Sequence, residues 1–365
     1  MEKGEDELAR NITIFLREMI AKDCVDVILV PQKITVGGGV AQSLVADEGK
    51  LENAEPLAFV MPVNSGTIIS DMTKVTPSKK KIAAVLKSCE IRALIELVKL
   101  KQASLDNIII IGIDCPGTYS VNDYRSMIEE KKSPMSEFLK NIKDGKDDEN
   151  MRVACKVCEY PIPENADIII GIYGSDLKKP IIMAKSETGK EILKKMGINS
   201  QEETKERKEQ VNALMKRRLD GWNALLSETQ KEVTGIDGLL KFLAPCINCH
   251  NCMDVCPVCY CRECFFESPT FEYESEKYIS WAERKGLVKM PRDTLLFHMT
   301  RMNHMATSCV GCGMCEQACP SKIGLLKLYK SVGHNAQKVF DYVPGRSLDE
   351  ELPLITFRED ELEPR

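Results

Sequence analysis

The sequence predicts a chain in two structural parts. The first is an α/β N-terminal domain with a mixed, partly parallel sheet and covering helices; a helical linker then leads to a smaller cysteine-rich domain. Three observations predict this. Between residues 82 and 113 an apolar run, a helical pattern and a second apolar run follow one another: Ile82 to Leu86, Glu90 to Lys101 and Asn107 to Ile113. Strand, helix and strand in that order make a β-α-β unit, which argues for parallel strands under helices. Residues 201 to 232 are dense in Glu, Lys and Arg, with apolar residues at Val211, Leu214, Leu219 and Trp222, which reads as a charged helix joining two domains. Beyond it a run of four cysteines occurs twice.

The first run is Cys246-Ile-Asn-Cys249-His-Asn-Cys252-Met-Asp-Val-Cys256-Pro257. The second is Cys309-Val-Gly-Cys312-Gly-Met-Cys315-Glu-Gln-Ala-Cys319-Pro320. Both read C-x2-C-x2-C-x3-C-P, the spacing with which bacterial-type ferredoxins hold [4Fe-4S] clusters. Three thiolates on one tight loop each reach a different iron of a cube, and the fourth comes from elsewhere. The proline stops the chain folding straight back. In two-cluster ferredoxins the fourth cysteine serves the other cluster. Cys246, Cys249, Cys252 and Cys319 are therefore expected on one cluster, and Cys309, Cys312, Cys315 and Cys256 on another. Zinc ribbons present two separated cysteine pairs, and neither they nor disulfides account for a repeated four-cysteine run. The second part is read as a bacterial-type 2[4Fe-4S] ferredoxin domain, in a protein that moves electrons.

At 365 residues the chain has room for two or three domains and a sizeable core. A net charge of -5 gives no basic field for nucleic acid or anionic lipid. Met1 leads into Glu2, Glu5, Asp6 and Glu7, which is not a signal peptide, so the 16 cysteines are read as metal ligands in a reducing cytoplasm. No apolar run is long enough to span a bilayer.

In order, residues 5 to 21 carry Leu8, Ile12, Ile14, Phe15 and Ile20 between charges, an amphipathic helix. Val25 to Val30 reads as a buried strand closed by Pro31. Gly37, Gly38 and Gly39 follow, either a loop whose amides approach a flavin or phosphate, or a plain surface turn. Leu57 to Val63 is a further expected strand. Cys89 and Cys115 follow the two strands of the β-α-β unit, at the carboxyl ends where such sheets collect ligands. After a charged loop from Lys143 to Glu149, Cys155-Lys-Val-Cys158 is open to zinc, a redox disulfide or half a cluster. With Cys89 and Cys115 it could complete a third cluster, and simple buried cysteines are as consistent with the spacing. The strand from Ala166 ends in Gly171, Tyr173 and Gly174, which suits a flat ring on backbone or an ordinary strand exit.

The charge of residues 201 to 232 is read as a solvated helix face; a contact of Arg217 and Arg218 with an anionic cofactor or partner is the rival. Cys259, Cys261 and Cys264 exceed what two ferredoxin clusters need, and a further cluster, a partner contact and spare thiols all remain open. Asp293 to His304 reads as a helix carrying His298 and His304; either could be a ligand, with packing or polar contact near the clusters the favoured role. A helix from Gly324 to about Ser331 and an extended acidic tail complete the chain. The expected divisions are 1–200, 201–243 for the linker, 244–335 for the ferredoxin domain with its insertion, and 336–365 for the tail.

In its order of motifs the chain resembles the beta subunits of coenzyme F420-dependent hydrogenases and formate dehydrogenases, especially the formate dehydrogenase beta subunit. The resemblance lies in Lys87-Ser-Cys89-Glu-Ile-Arg92, Ile111-Gly-Ile-Asp-Cys115-Pro-Gly117-Thr118, Cys155-Lys-Val-Cys158, Gly171-Ile-Tyr-Gly174 and Pro257-Val-Cys259-Tyr-Cys261-Arg-Glu-Cys264. It implies FAD in the N-terminal domain beside a cluster on Cys89, Cys115, Cys155 and Cys158. Residues implied near the flavin are Gly37, Gly38, Gly39, Lys87, Arg92, Thr118, Gly171, Tyr173 and Gly174. Gly37-Gly-Gly-Val-Ala-Gln-Ser-Leu echoes the family's flavin segment only loosely. Implied partners are a formate dehydrogenase or hydrogenase catalytic subunit, or a heterodisulfide-reductase-like flavoprotein, with a soluble redox carrier such as coenzyme F420. The rivals to this reading are a cluster-only relay without flavin and a zinc-bound interaction module.

Overall fold

The computed structural model describes residues 5–34, 38–261 and 263–355. Six strands, β1 (Val27–Lys33), β2 (Val40–Val45), β3 (Ile82–Lys87), β4 (Ile108–Ile113), β5 (Ile168–Gly171) and β6 (Ile181–Ala184), form one sheet in the order β2-β1-β3-β4-β5-β6. β1, β3, β4 and β5 are parallel, and β2 and β6 close the edges antiparallel. Every residue of β3 and β4 is buried, because both faces are covered. Alternate residues serve two cores. Ala83, Val85, Ile109 and Ile111 pack with α1 (Glu5–Ala21), and Ala84, Leu86, Ile108 and Ile110 pack with α2 (Ser65–Thr73) and α3 (Ser88–Lys99). The first core is completed by α4 (Val121–Glu129), α5 (Pro134–Lys143) and α7 (Glu187–Met196); between the last two lies the short α6 (Val153–Lys156).

Three local expectations change. β1 continues through Pro31 to Lys33. Its pairing with β3 ends at Leu29, and past that point the Pro31 carbonyl accepts Glu55 N–H, a contact that needs no proline donor. Leu57 to Val63 is not a strand: only Val60 bridges, to Tyr119. Both neighbours of β1 are already taken by β2 and β3, so Leu57, Phe59 and Met61 serve burial rather than pairing. Gly38 and Gly39 lie in the hairpin turn between β1 and β2, closed by Ile34 N–H on the Gly39 carbonyl. Gly37 lies outside the described residues.

The second half contains α8 (Lys205–Glu232), α9 (Gly235–Leu243), α10 (Asn251–Asp254), α11 (Ser275–Lys285), α12 (Thr294–Met305), α13 (Met314–Gln317) and α14 (Leu325–Val339). α8 is helical, but one face is not solvated. Arg207, Val211, Leu214, Arg218 and Trp222 fall on one stripe and are buried, while Leu219, off that stripe, is exposed. Wholly buried Trp222 meets Ala154 and Val157 of the first domain and Leu326 of α14. Lys330 stands 4.0 Å over its ring. Trp222→Ala is expected to lower the unfolding free energy by about 3–5 kcal/mol, measured by urea denaturation; an effect under about 1 kcal/mol would show that this joint carries little.

α14 runs past the expected end of the ferredoxin domain, to Val339, and the following segment is not free. It straps across α3, where the buried Glu96 carboxylate accepts Tyr342 Oη–H at 2.5 Å and Gly345 N–H at 2.8 Å. Arg92 Nε donates to the Pro344 carbonyl at 2.8 Å. A buried carboxylate needs such donors, and they come from the segment the sequence presented as tail.

Candidate metal centres

The ferredoxin cysteines lie around two short helices, α10 and α13, and on the loops entering them. Cys319 of the second run stands among the charges acting on Cys246 and Cys252 of the first, together with Cys249. Cys256 of the first run acts in turn on Cys309, Cys312 and Cys315 of the second. Burial pushes the Cys252 and Cys309 thiols up to about 11 and Cys312 to about 12, with Cys256 adding to the last two. Thiols buried in groups of this kind ionise when a cationic centre compensates them, so the donor set fits a metal cluster. Among the described residues, no three His, Cys, Asp or Glu side chains are drawn close enough for a single ion. The corners of a cube are separate irons, and its thiolates stand further apart than the ligands of one ion.

α12, in the insertion between the two runs, backs the first group with a buried polar network. Arg301 Nη1 donates to Cys252 Sγ at 3.1 Å and to Tyr329 Oη at 3.0 Å, and Nη2 to the Cys252 carbonyl at 3.0 Å. His298 Nε2 lies 3.3 Å from Cys246 Sγ and its Nδ1 2.6 Å from Tyr329 Oη. Burial, with Arg301 and His250, pulls His298 down to about 4. The neutral ring with a thiolate at Cys246 has its proton on Nε2, so Tyr329 donates to Nδ1. His304 is exposed.

The third group is built from three elements of the first domain. Cys89 sits in the first turn of α3 and Cys115 just beyond β4, with its N–H on the Pro161 carbonyl. Cys155 lies on α6, and Cys158 just after it. Burial raises the Cys115 thiol to about 12, with Cys155 and Cys158 adding to it; Cys115, Cys312 and Cys158 all act on the half-buried Cys89. Cys155 behaves differently. Burial pushes it up, but Arg152, Thr118 and Arg218 together outweigh this and hold it below the usual thiol range. Arg152 Nε donates to Thr118 Oγ1 at 2.8 Å, leaving that hydroxyl's proton for Cys155 Sγ at 3.4 Å.

Arg152 also joins this group to the second ferredoxin run. Its Nη1 reaches Gln317 Oε1 at 3.4 Å and Met314 Sδ at 3.9 Å, and its Nη2 reaches Cys155 Sγ at 3.7 Å. Gly313, between Cys312 and Cys315, has φ +70°, and a Cβ there would lie 2.4 Å from the Ala154 Cβ. Only glycine lets the two cysteine loops meet so closely. Beside this contact a cavity of about 190 Å³ is lined by Cys158 and Cys309 together with Arg92, Lys330 and His334.

Among the described residues, those assigned to a flavin are not gathered around a seat for one. A Cβ on Gly171 would lie 2.7 Å from Arg207 Nη1, and one on Gly174 2.5 Å from the Arg207 Cα. Both glycines therefore make room for α8. Tyr173 packs with Val211 and Leu214 of α8. The Arg92 guanidinium lies 4.0 Å from the Tyr160 ring centroid and donates to the Val310 and Pro344 carbonyls. Thr118 is engaged with Cys155 and Arg152, Lys87 is buried at the start of α3 with its charge acting on Cys115, and Gly38 abuts Ile128. The cavity next to Tyr173, about 140 Å³, is below the roughly 300 Å³ at which cofactor pockets begin. As arranged here, these residues do not fit FAD.

Arg217 and Arg218, offered for an anionic ligand, meet protein instead. Arg217 pairs with Asp147 at 2.9 Å, and Arg218 donates to the Pro116 carbonyl at 2.6 Å and also pairs with Asp147. Of the extra cysteines, Cys259 is raised to about 12 by burial and by Cys256, Cys264 Sγ lies 3.4 Å from Met253 Sδ, and Cys261 is exposed. Sequence reading missed Arg152, Arg301 and the buried Asp114–Arg207 pair. For Arg207 and Arg218 a signal existed, since both fall on the apolar stripe of α8; nothing local marks Arg152.

This arrangement can be set beside known proteins. Residues 79–210 match the family described as the C terminus of the coenzyme F420 hydrogenase/dehydrogenase beta subunit, and residues 242–323 match a 4Fe-4S dicluster domain. The chain is 27% identical to the F420-dependent formate dehydrogenase subunit beta of Methanocaldococcus jannaschii, with 95% of this chain and 94% of that one covered. Residues 79–210 are thus similar to the C-terminal part of that family, and nearly the whole chain is similar to formate dehydrogenase beta subunits. It is likewise 29% identical to the F420-dependent formate dehydrogenase 1 subunit beta of Methanococcus maripaludis, over 97% of this chain and 94% of that one. A shorter match, 29% over 107 residues, joins it to the sulfhydrogenase 2 subunit beta of Pyrococcus furiosus, covering 25% of this chain and 32% of that one. Members of this family are oxidoreductase subunits, and the second family match gives the cysteine-rich part its 4Fe-4S character. Among the described residues, no helix is long and apolar enough to cross a membrane.

Proposed function

We propose that this chain is the cytoplasmic electron-transfer subunit of an F420-type oxidoreductase, and that it holds three [4Fe-4S] clusters in a row. Cys246, Cys249, Cys252 and Cys319 would hold the first. Cys256, Cys309, Cys312 and Cys315 would hold the second, and Cys89, Cys115, Cys155 and Cys158 the third. The observation that carries the reading is the junction of the last two groups, where Gly313 abuts Ala154 and Cys312 acts on Cys89. Clusters supply one-electron transfer when bound. The chain's own part is to bring the thiols together, to exclude water by burial, and to fix the distance between groups through α8, Arg152 and the strap on Glu96.

The partner in this reading is the catalytic subunit of a formate dehydrogenase or hydrogenase, which the names of the relatives support; a heterodisulfide-reductase-like flavoprotein, implied by the motif resemblance alone, is the other partner class. A soluble carrier such as coenzyme F420 delivers electrons in pairs, and splitting a pair calls for a flavin. Gly171, Tyr173 and Gly174 are committed to α8 and leave no seat for FAD among them. That observation favours a second reading, a cluster relay whose flavin lies on a partner.

The test is metal, sulfide and flavin content of anaerobically purified protein. About twelve irons per chain are expected; zinc without acid-labile sulfide overturns the proposal. Stoichiometric flavin separates the F420-coupled reading from the relay. Cys155→Ser is expected to bring iron down to about eight and to interrupt electron flow into the ferredoxin domain. Full iron and an unaltered rate in that variant would remove the third site.

A further inference from the structure

The three cysteine groups differ in what surrounds them. Resting on the cluster assignment above, we propose that they form an uneven electron ladder: Arg301 and Arg152 stabilise an added electron at the two outer sites, and the middle site is the hardest to reduce.

Reduction adds a negative charge to a cluster and its thiolates. A fixed cation in direct hydrogen bond to one of those thiolates favours the reduced state, strongly so where water is excluded. The outer ferredoxin site has such a cation. Arg301 is 3% exposed and donates to Cys252 Sγ at 3.1 Å, anchored by the Cys252 carbonyl and Tyr329. His298 and the Asn248 N–H, each at 3.3 Å from Cys246 Sγ, add donors to the same site. The outer N-terminal site has Arg152, whose Nη2 lies 3.7 Å from Cys155 Sγ, together with the Thr118 hydroxyl at 3.4 Å.

The middle site has no cationic side chain in hydrogen-bond contact with its thiols among the described residues. Among the described residues, the side-chain contact to its thiols is Met305 Sδ, 4.0 Å from Cys256 Sγ, which carries no charge. Backbone N–H groups of Gly311 and Met314 serve Cys309 and Cys312. The cations around it act through space and not by hydrogen bond to its thiols: Arg152 on Cys312, Arg301 on Cys315, and on Cys309 both Arg92 and Lys330, the last paired with Glu159 at 2.9 Å. The middle site also has a neighbour on each side, so it feels the repulsion of two reduced centres where an outer site feels one.

The consequence is an electron resting at each end of the chain with a brief uphill passage between them. Such a ladder lets one end be loaded while the other is still occupied, which suits a subunit that exchanges electrons with one partner in pairs and with another singly. A guanidinium does not lose its proton in proteins, so the profile does not depend on pH through these two residues.

The experiment is a stepwise dithionite titration of the anaerobic, iron-loaded full chain, followed by electron paramagnetic resonance. Two signals are expected at higher potential and one at lower potential, the last being the one abolished in Cys256→Ser. Arg301→Gln should move one of the two higher midpoints downwards, and Arg152→Gln the other, each at unchanged iron. Arg301→Lys, which keeps the charge, should return most of the shift. Full iron with unmoved midpoints in both glutamine variants overturns the ladder, as does a first-reduced signal that Cys256→Ser abolishes. An iron content near eight in the unaltered chain overturns the N-terminal site itself, and the three-rung form with it, so the two failures are told apart.

Discussion

Asp114→Ala is expected to lower the unfolding free energy by about 3–5 kcal/mol, the cost of leaving a buried charge without its partner. Asp114 lies just past β4, with Cys115 next to it. It binds Arg207 in a fork, Oδ2 to Nη1 at 2.5 Å and Oδ1 to Nη2 at 2.8 Å. The same carboxylate accepts the N–H groups of Ile172 at 2.8 Å and Tyr173 at 3.2 Å. Both side chains of the ion pair are buried. Removing the carboxylate strands a guanidinium and two amides, and loosens α8 where it crosses the sheet. Urea unfolding of the iron-loaded chain measures the loss. Asp114→Leu combined with Arg207→Met should recover part of it, because the guanidinium is no longer stranded while the Ile172 and Tyr173 amides still lack their acceptor. A double variant as unstable as Asp114→Ala would show that the pair does more than join α8 to the sheet.

Cys319→Ser is expected to remove about four irons, and the ones lost should belong to the first run rather than to its own. Cys319 stands with Cys246, Cys249 and Cys252, while Cys312 and Cys315 of its own run stand with Cys256. The resonance signal that disappears should be the one that Arg301→Gln shifts, since Arg301 bonds Cys252. Loss of the other ferredoxin signal would mean that each run holds its own cluster. The variant should also unfold more readily in the ferredoxin part, because metal binding is a large share of folding energy in a domain this small.

Much of this protein is legible in its residues. The order of apolar runs and helical patterns between residues 82 and 113 determines a β-α-β unit and with it a partly parallel sheet. The repeated cysteine spacing determines a 4Fe-4S domain, and the order of Cys89, Cys115, the C-x2-C and the glycine-containing strand carries the similarity to F420 hydrogenase/dehydrogenase beta subunits. These features are local: a period of two or of 3.6, or a ligand spacing, is complete within a short stretch of chain.

What joins the parts was not legible. β2 and β6 are short edge strands whose patterning is weak, and the sheet claims them only because β1 and β5 offer open edges. The charge on α8 was read as solvated, and Arg207 and Arg218 are buried only because Asp114, Asp147 and the Cys115–Pro116 carbonyls come from residues far away in sequence. Gly171 and Gly174 looked like a platform for a ring, and the body that occupies their open side is Arg207. Arg152 and Arg301 became partners of Cys155 and Cys252 through packing alone. The sequence by itself determined which elements and which ligand loops this protein has, since each is a property of consecutive residues. The tertiary structure alone decided how the thiol groups line up and which charges face them, because a buried charge is placed by whichever distant segment can satisfy it.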